Sequence, residues 1–172
     1  FRDKDIEYVG VDNSKNLIEI ANARYKMPDT RHKFLVADAF NLPFPDNYFD
    51  KIFSIAVLHH IPSKEYRLRF LKEARRALKS GGLLILTCWK FHKPKELFLL
   101  FKFTILKLMG LSKLDFGDMF EPWGKRAERY YHSFSRKELA NLAETAGFKI
   151  EDVGIIKNTR GNRQNIYLVA QK

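Results

Sequence analysis

The sequence predicts an α/β fold with a mainly parallel sheet, and three observations carry that expectation. Apolar runs of strand length alternate along the chain with stretches of helical periodicity. The first two such runs each end in an aspartate, Asp12 and Asp38, followed at once by turn or helix-opening residues. Pro and Gly punctuate the alternation at Met27-Pro28-Asp29, Ser80-Gly81-Gly82 and Gly147. Strand–helix–strand units produce this pattern when they build a parallel sheet.

Taken in order, residues 8–11 are the first expected strand, closed by Asp12. A helix is expected over 13–25, with Leu17, Ile18 and Ala21 on its apolar face and Asn13 or Ser14 as its cap. Residues 33–37 read as the next strand, closed by Asp38, and Leu42-Pro43-Phe44-Pro45 as a loop. Residues 49–57 read as a buried strand. Ser63 opens a long helix that runs to Lys79, where Ser80-Gly81-Gly82 stops it, and 83–89 is the strand that follows. Residues 90–132 stand apart as a helical, lid-like insertion. Within it, 97–111 is apolar nearly all round, which favours a helix buried beneath a lid; a membrane-surface helix or a docking face for a partner are the alternatives. Ser135, with Glu138 three residues on, is a capping box that opens the last helix. Residues 148–156 and 165–170 are two final strands, joined by the basic loop 157–163 as an antiparallel hairpin.

A chain of 172 residues is expected to be a single domain, 1–172, and 45% hydrophobic content excludes a disordered chain. One cysteine, Cys88, excludes a disulfide framework or a cysteine-rich zinc site in this sequence and fits a reducing, cytoplasmic setting. Lys102 and Lys107 interrupt the longest apolar run, so stable membrane insertion is not expected. A net charge of +11 is met by any Lys-rich soluble surface, and more sharply by a polyanion partner such as RNA, DNA or an anionic membrane. The excess is concentrated in 90–137, with Lys125, Arg126 and Arg129 among its cations and Trp89, Phe91, Trp123, Tyr130 and Tyr131 interleaved. Phosphate contacts beside stacking surfaces are what single-stranded RNA loops require.

Asp12 carries more information than any other residue. An acid that closes a strand and precedes a helix is where nucleotide-binding α/β folds accept the ribose hydroxyls, and their Gly-rich turn lies about 20 residues earlier. That place falls before Phe1. The sequence therefore reads as a Rossmann-like domain truncated at its N-terminus, with the first strand and Gly-rich loop missing. Without them the chain alone is not expected to fold stably, which puts its activity on its own in doubt.

Gly10-Val11-Asp12, then Val36-Ala37-Asp38-Ala39, then Phe49-Asp50 with Ser54-Ile55-Ala56-Val57-Leu58-His59-His60, then Leu78-Lys79-Ser80-Gly81-Gly82, stand in the order and spacing of motifs that follow the Gly-rich loop. In these the chain resembles class I S-adenosylmethionine-dependent methyltransferases. Glu121-Pro122-Trp123, Arg129-Tyr130-Tyr131-His132, Arg136-Lys137-Glu138-Leu139 and the ending from Gln164 to Lys172 resemble more narrowly the tRNA wobble-uridine carboxymethyl methyltransferases, including the methyltransferase domain of the AlkB-homologue enzyme. That family usually has Trp where Ile166 stands.

The resemblance implies a sheet of order 3-2-1-4-5-7-6 with strand 1 missing here, S-adenosylmethionine as cofactor, and methyl transfer to the carboxylate of 5-carboxymethyluridine in tRNA. Asp12 would accept from the ribose hydroxyls, with Asn13 a cap or a ribose contact. Asp38 would accept from the adenine amino group, with Ala39 and Phe40 at the ring edge and Ala56, Val57 and Leu58 lining the site. One or other of His59 and His60 would face the substrate carboxylate; no carboxylate or cysteine is spaced to make the pair a metal site. Arg129 would pair with that carboxylate or a phosphate, and Tyr130 or Tyr131 would stack on the base, the other packing in the lid. Trp89 would wall the pocket or fill the core. His132, Lys125, Arg126, Arg160 and Arg163 would meet RNA. A small zinc-binding activator protein is the expected partner. Two other functions fit the same residues: a methyltransferase for a small molecule or lipid, and a non-catalytic RNA-binding module of the same fold.

Overall fold

The computed structural model describes residues 6–24, 32–124, 127–159 and 163–172. The chain divides into two compact units, residues 1–45 and 46–172.

The first unit is one strand–helix–strand turn. Strand β1 (Tyr8–Asp12) and strand β2 (His32–Val36) pair in parallel, Tyr8 opposite His32 and Asp12 opposite Val36. Helix α1 (Lys15–Arg24) joins them and is shorter than expected. Ser14, not Asn13, serves its N-terminus: the Ser14 hydroxyl accepts from the Leu17 amide at 3.4 Å and its carbonyl from Ile18. Of the three residues expected on the apolar face, Ile18 is buried while Leu17 is 55% exposed.

The second unit holds a four-stranded sheet in the order β3 (Phe49–Ile55), β4 (Leu78–Trp89), β8 (Gln164–Gln171), β7 (Lys149–Lys157). Helix α2 (Lys64–Ala77) crosses between the parallel pair β3 and β4, while β8 runs antiparallel to both its neighbours. The pairs β2-β1 and β3-β4-β8-β7 fill places 3-2 and 4-5-7-6 of the expected order, and the C-terminal hairpin is antiparallel as expected. Alternate residues of β4 (Leu84, Leu86, Cys88) and β8 (Ile166, Leu168, Ala170) are buried, as a sheet covered on one face requires. Leu71, Ala74 and Ala77 of α2 and Leu139, Leu142 and Ala143 of helix α4 (Arg136–Thr145) complete that core.

Four expectations need correcting. Helix α2 stops at Ala77, and Ser80-Gly81-Gly82 lies inside β4 as an irregularity where the partner of β3 skips from Leu78 to Leu83; Gly81 takes φ +76° there. Strand β3 is not buried along its length: only Ser54 is, while Phe53 and Ile55 are 44% and 58% exposed. The insertion is not purely helical: after helix α3 (Pro94–Leu108) comes a hairpin of β5 (Asp118–Trp123) and β6 (Ala127–His132). Finally, α3 has no buried residue, so the reading of 97–111 as a helix beneath a lid fails.

The ends of α3 explain why it forms at all. Pro94 opens it, and the Glu96 carboxylate turns back to accept from the amides of His92 and Lys93 at 2.8 and 2.9 Å. At the other end Gly110 takes φ +72°, its amide reaches the Lys107 carbonyl and the Leu111 amide reaches Leu106, a Schellman closure that a side chain with Cβ would resist.

Candidate functional site

In the first unit, parallel pairing puts two carboxylates at the same end of adjacent strands. Asp12 ends β1, Asp38 follows β2, and the Ala37 amide donates to the Asp12 carbonyl at 3.0 Å. Each acid folds one oxygen back on its own turn: Asp12 Oδ1 accepts from the Ser14 amide at 2.8 Å, and Asp38 Oδ1 from Phe40 at 2.9 Å. The bond holds each side chain in one orientation and leaves the second oxygen as a further acceptor. It also occupies the Phe40 amide, expected at an adenine edge, in this structure. Asn13 is exposed. Two fixed acceptors at the carboxyl end of adjacent parallel strands are the donor-binding chemistry that ribose hydroxyls and an adenine amino group need, so these residues fit S-adenosylmethionine.

In the second unit, β3 ends in a kink. Ala56 takes φ +58°, and its amide donates to the Thr87 carbonyl at 3.0 Å. Val57 is 40% exposed, but Leu58 is wholly buried, so the Leu58 side chain lines no open site. A 3-10 turn, Leu58–His60, then carries the two histidines into an aromatic cluster. His59 lies 4.2 Å from His60 and 5.0 Å from Trp89 between ring centres; His60 lies 5.0 Å from Tyr131, which also meets Phe91 at 5.2 Å.

The two histidines have different fates. His59 is fully buried, and burial, helped by the nearby His60, pushes it down to about 3. It is a neutral ring at any physiological pH. Its Nδ1 accepts from the Trp89 amide at 3.5 Å, so Nε2 carries the proton; that nitrogen is buried with no hydrogen-bond partner. His60 is half-buried, and Nδ1 meets the Tyr130 carbonyl at 3.3 Å, which assigns it the donor role and leaves Nε2 an acceptor. Burial lowers its pKa, the Tyr130 carbonyl opposes this, and the Arg129 charge adds to the lowering. Of the two rings, His60 alone is partly open to solvent. The Arg129 guanidinium sits 3.4 Å from the centre of the Trp123 ring, and Trp89 is 37% exposed. The structure brings His59, His60, Trp89 and Tyr131 together, with Arg129 close enough to be felt electrostatically.

The remaining candidates of the Arg129–His132 run serve another purpose. Tyr131 is 1% exposed and packs on Phe91 and Met119, so it offers no face to a base. Tyr130 donates to Asp118 at 2.6 Å and accepts from Arg67 at 3.0 Å; burial, with Asp118, holds its hydroxyl well above the usual range. His132 is clamped between Asp118, 2.6 Å from Nδ1, and Glu138, 2.8 Å from Nε2. Burial opposes its protonation, but the two carboxylates outweigh that and raise its pKa. Neither Tyr130 as a catalytic group nor His132 as an RNA contact matches these positions: their polar atoms are already spent. Arg67, 3% exposed in its side chain, binds Asp115 at 3.0 Å and approaches Asp118 at 3.5 Å, so one ionic cluster ties α2, the hairpin and α4 together. A cleft of about 450 Å³ beside it, lined by Arg67, Asp115, His132 and Glu138, belongs to this clamp rather than to the aromatic cluster. Sequence reasoning missed Arg67 and Asp118; only Glu138 carried a signal, as a capping residue. Arg163 is exposed; its carbonyl accepts from the Asn158 amide and its amide donates to Asn158 Oδ1, both at 3.1 Å. Lys125, Arg126 and Arg160 lie outside the described residues.

Comparison with known proteins bears on the family and the fold. The methyltransferase-domain family matches residues 1–86, half of the chain. A tRNA (carboxymethyluridine(34)-5-O)-methyltransferase of Schizosaccharomyces pombe is 26% identical over 98% of this chain and 73% of its own length. A protein of Encephalitozoon cuniculi named as a methyltransferase is 37% identical over 68% of this chain; the chain spans about half of that relative, 52%. Among solved structures, an S-adenosylmethionine-dependent methyltransferase from Methanosarcina mazei superposes with a TM-score of 0.78 at 26% identity, over 95% of this chain and 81% of that one.

Proposed function

The chain belongs to the methyltransferase-domain family, whose cofactor is S-adenosylmethionine, and on that premise we propose that it methylates the carboxylate of 5-carboxymethyluridine at the wobble position of tRNA. The observation that carries the reading is the half-open surface of His60, Trp89 and Arg129 beside a histidine that cannot ionise.

Bound S-adenosylmethionine would supply a methyl on a sulfonium, passed to the carboxylate oxygen with the sulfur leaving as a neutral thioether, so that no proton need move. A carboxyl group titrates near pKa 4, so the acceptor is already ionised at neutral pH and needs no base. A depressed His60 suits this: it orients by hydrogen bonding and does not compete for a proton. Arg129, held flat on Trp123, supplies the charge that a carboxylate must meet if it is to leave water. Trp89 offers an exposed ring to a base. In the first unit, Asp12 and Asp38 would hold the ribose and the adenine. Alignment with the fission yeast enzyme over nearly the whole chain supports the tRNA substrate. A small zinc-binding activator protein completes the proposal as partner.

The test is incubation of the full-length protein, with and without such an activator, with methyl-labelled S-adenosylmethionine and bulk tRNA, followed by digestion to nucleosides. A base-labile methyl ester on a modified uridine is the expected product. Label in the lipid or small-molecule fraction, or cofactor binding with no transfer to RNA, overturns the tRNA reading.

A further inference from the structure

Helix α3 turns an unpartnered apolar face outward. At 3.6 residues per turn, Leu99, Leu100 and Phe103 fall on one side of it, packed against Phe91, Met119 and Tyr131. Leu97, Phe98, Phe101, Ile105 and Leu108 fall on the opposite side, between 37% and 67% exposed. Met109 and Leu111, on either side of Gly110, add two more apolar side chains at the helix's end, 65% and 68% exposed. Seven large apolar side chains exposed along a single helix and at its end are a patch of the kind that marks an interaction surface.

Lysines predominate around the strip, with an ion pair among them, Lys95 Nζ to Glu121 at 2.9 Å. Glu96, the helix's one acid, lies on the inward half and caps its own N-terminus. Lys95 and Lys102 border the strip along one edge by helical position, Lys90 and Lys93 precede the helix, and Lys113 follows it. Among the described residues no helix is long and apolar enough to cross a membrane, so the strip is not part of a span. A second copy of the chain would bring like-charged lysines together on a molecule of net charge +11. A surface that accepts apolar side chains a few ångströms deep and offers anions at its rim satisfies both halves of the pattern.

We propose that the outward face of α3 docks on an anionic lipid surface, the helix lying in the interfacial plane with Phe98, Phe101 and Ile105 deepest and the lysines at the headgroups. The inference is independent of the methyl-transfer substrate.

Sedimentation of the full-length protein with vesicles tests it, using phosphatidylcholine alone and phosphatidylcholine mixed with phosphatidylserine. The protein is expected to partition onto the mixed vesicles and only weakly onto the neutral ones. Phe101→Ser should cut that partition roughly tenfold, the scale of one buried aromatic side chain. Lys102→Glu should weaken binding to the mixed vesicles alone. The thermal melt of Phe101→Ser should match the parent, because the ring is 64% exposed, which separates lost docking from lost folding. Failure of the parent protein to bind mixed vesicles overturns the proposal. So does equal binding by Phe101→Ser, which leaves only adsorption of a basic protein. A parent dimer that Phe101→Ser converts to a monomer identifies a second copy as the occupant instead.

Discussion

His59 and His60 are neighbours in sequence, yet one is sealed at 0% exposure and the other half-open, and a residue's chemistry here depends on such details. The same holds for the Arg129–His132 run, which alternates between a stacked cation, a tethered phenol, a core ring and a clamped imidazole. Of these, His132 makes the sharpest prediction. Its folded pKa is raised above the unfolded value near 6.5, so its stabilisation is complete below about pH 6.5 and fades as pH rises through the folded value. Replacing it with Gln removes the cation between Asp118 and Glu138 while Asp118 keeps Arg67 and Tyr130, and loss of hydrogen bonds to charged partners of this kind costs about 1.5–3 kcal/mol. Urea unfolding should therefore show a larger loss for His132→Gln at pH 6 than at pH 9; an equal loss would mean that the ring is neutral in the fold. His59 contributes in the opposite sense, with stability that is complete above about 6.5 and lost as pH falls toward 3, so the comparison must be between variant and parent at each pH. Asp12 gives the residue-scale test of the proposed cofactor site. Asp12→Asn keeps an oxygen for the Ser14 turn and loses the charge, whereas Asp12→Ala loses both. Calorimetry should show S-adenosylmethionine affinity weakened by Asn and reduced roughly 100-fold by Ala, the scale of two hydrogen bonds to a charged acceptor; affinity unchanged in Asp12→Ala would remove Asp12 from the site.

At the scale of elements, legibility in the sequence follows the range of the forces involved. The capping box that opens α4 was visible because Ser135 and Glu138 are three residues apart, and the structure has both bonds, at 3.1 and 3.4 Å. Ser135→Ala should cost about 1 kcal/mol, and Glu138→Gln more, since Glu138 also holds His132; equal shifts in a thermal melt would deny the second role. Strand-closing acids were likewise local signals, and Asp12 and Asp38 stand where the alternation placed them. The β5–β6 hairpin was hidden because Pro122 argues against a strand, though a two-stranded ribbon tolerates it at an edge. The Arg67 cluster had no sequence signature: its partners lie 48 and 51 positions away, brought close only by the fold. Helix α3 is the reverse case. All-round apolarity implies a covered helix, but a pattern of residues does not say what covers it, and only the inner face is covered here.

The whole molecule adds one quantity that no element holds, a net charge of +11. Both of its proposed partners, tRNA and an anionic lipid surface, are polyanions, so charge alone does not separate them; the mode of contact does. Binding to RNA releases counterions in proportion to the phosphates met, about 0.7 per phosphate on a single strand, so contact with five to seven phosphates gives a log–log slope against salt of about −4 to −5. Fluorescence anisotropy with labelled tRNA over a potassium chloride series should return a slope in that range for the full-length protein. A slope near zero would remove tRNA as an electrostatic partner. Arg129→Ala should weaken binding and make the slope shallower by about one contact, provided its guanidinium meets a phosphate rather than the substrate carboxylate on unmodified RNA. Phe101→Ser should leave the tRNA slope untouched, because the ring carries no charge and releases no counterion, while its vesicle partition falls. Parallel loss of both would mean that one surface serves both polyanions, and that the outward face of α3 belongs to the RNA site.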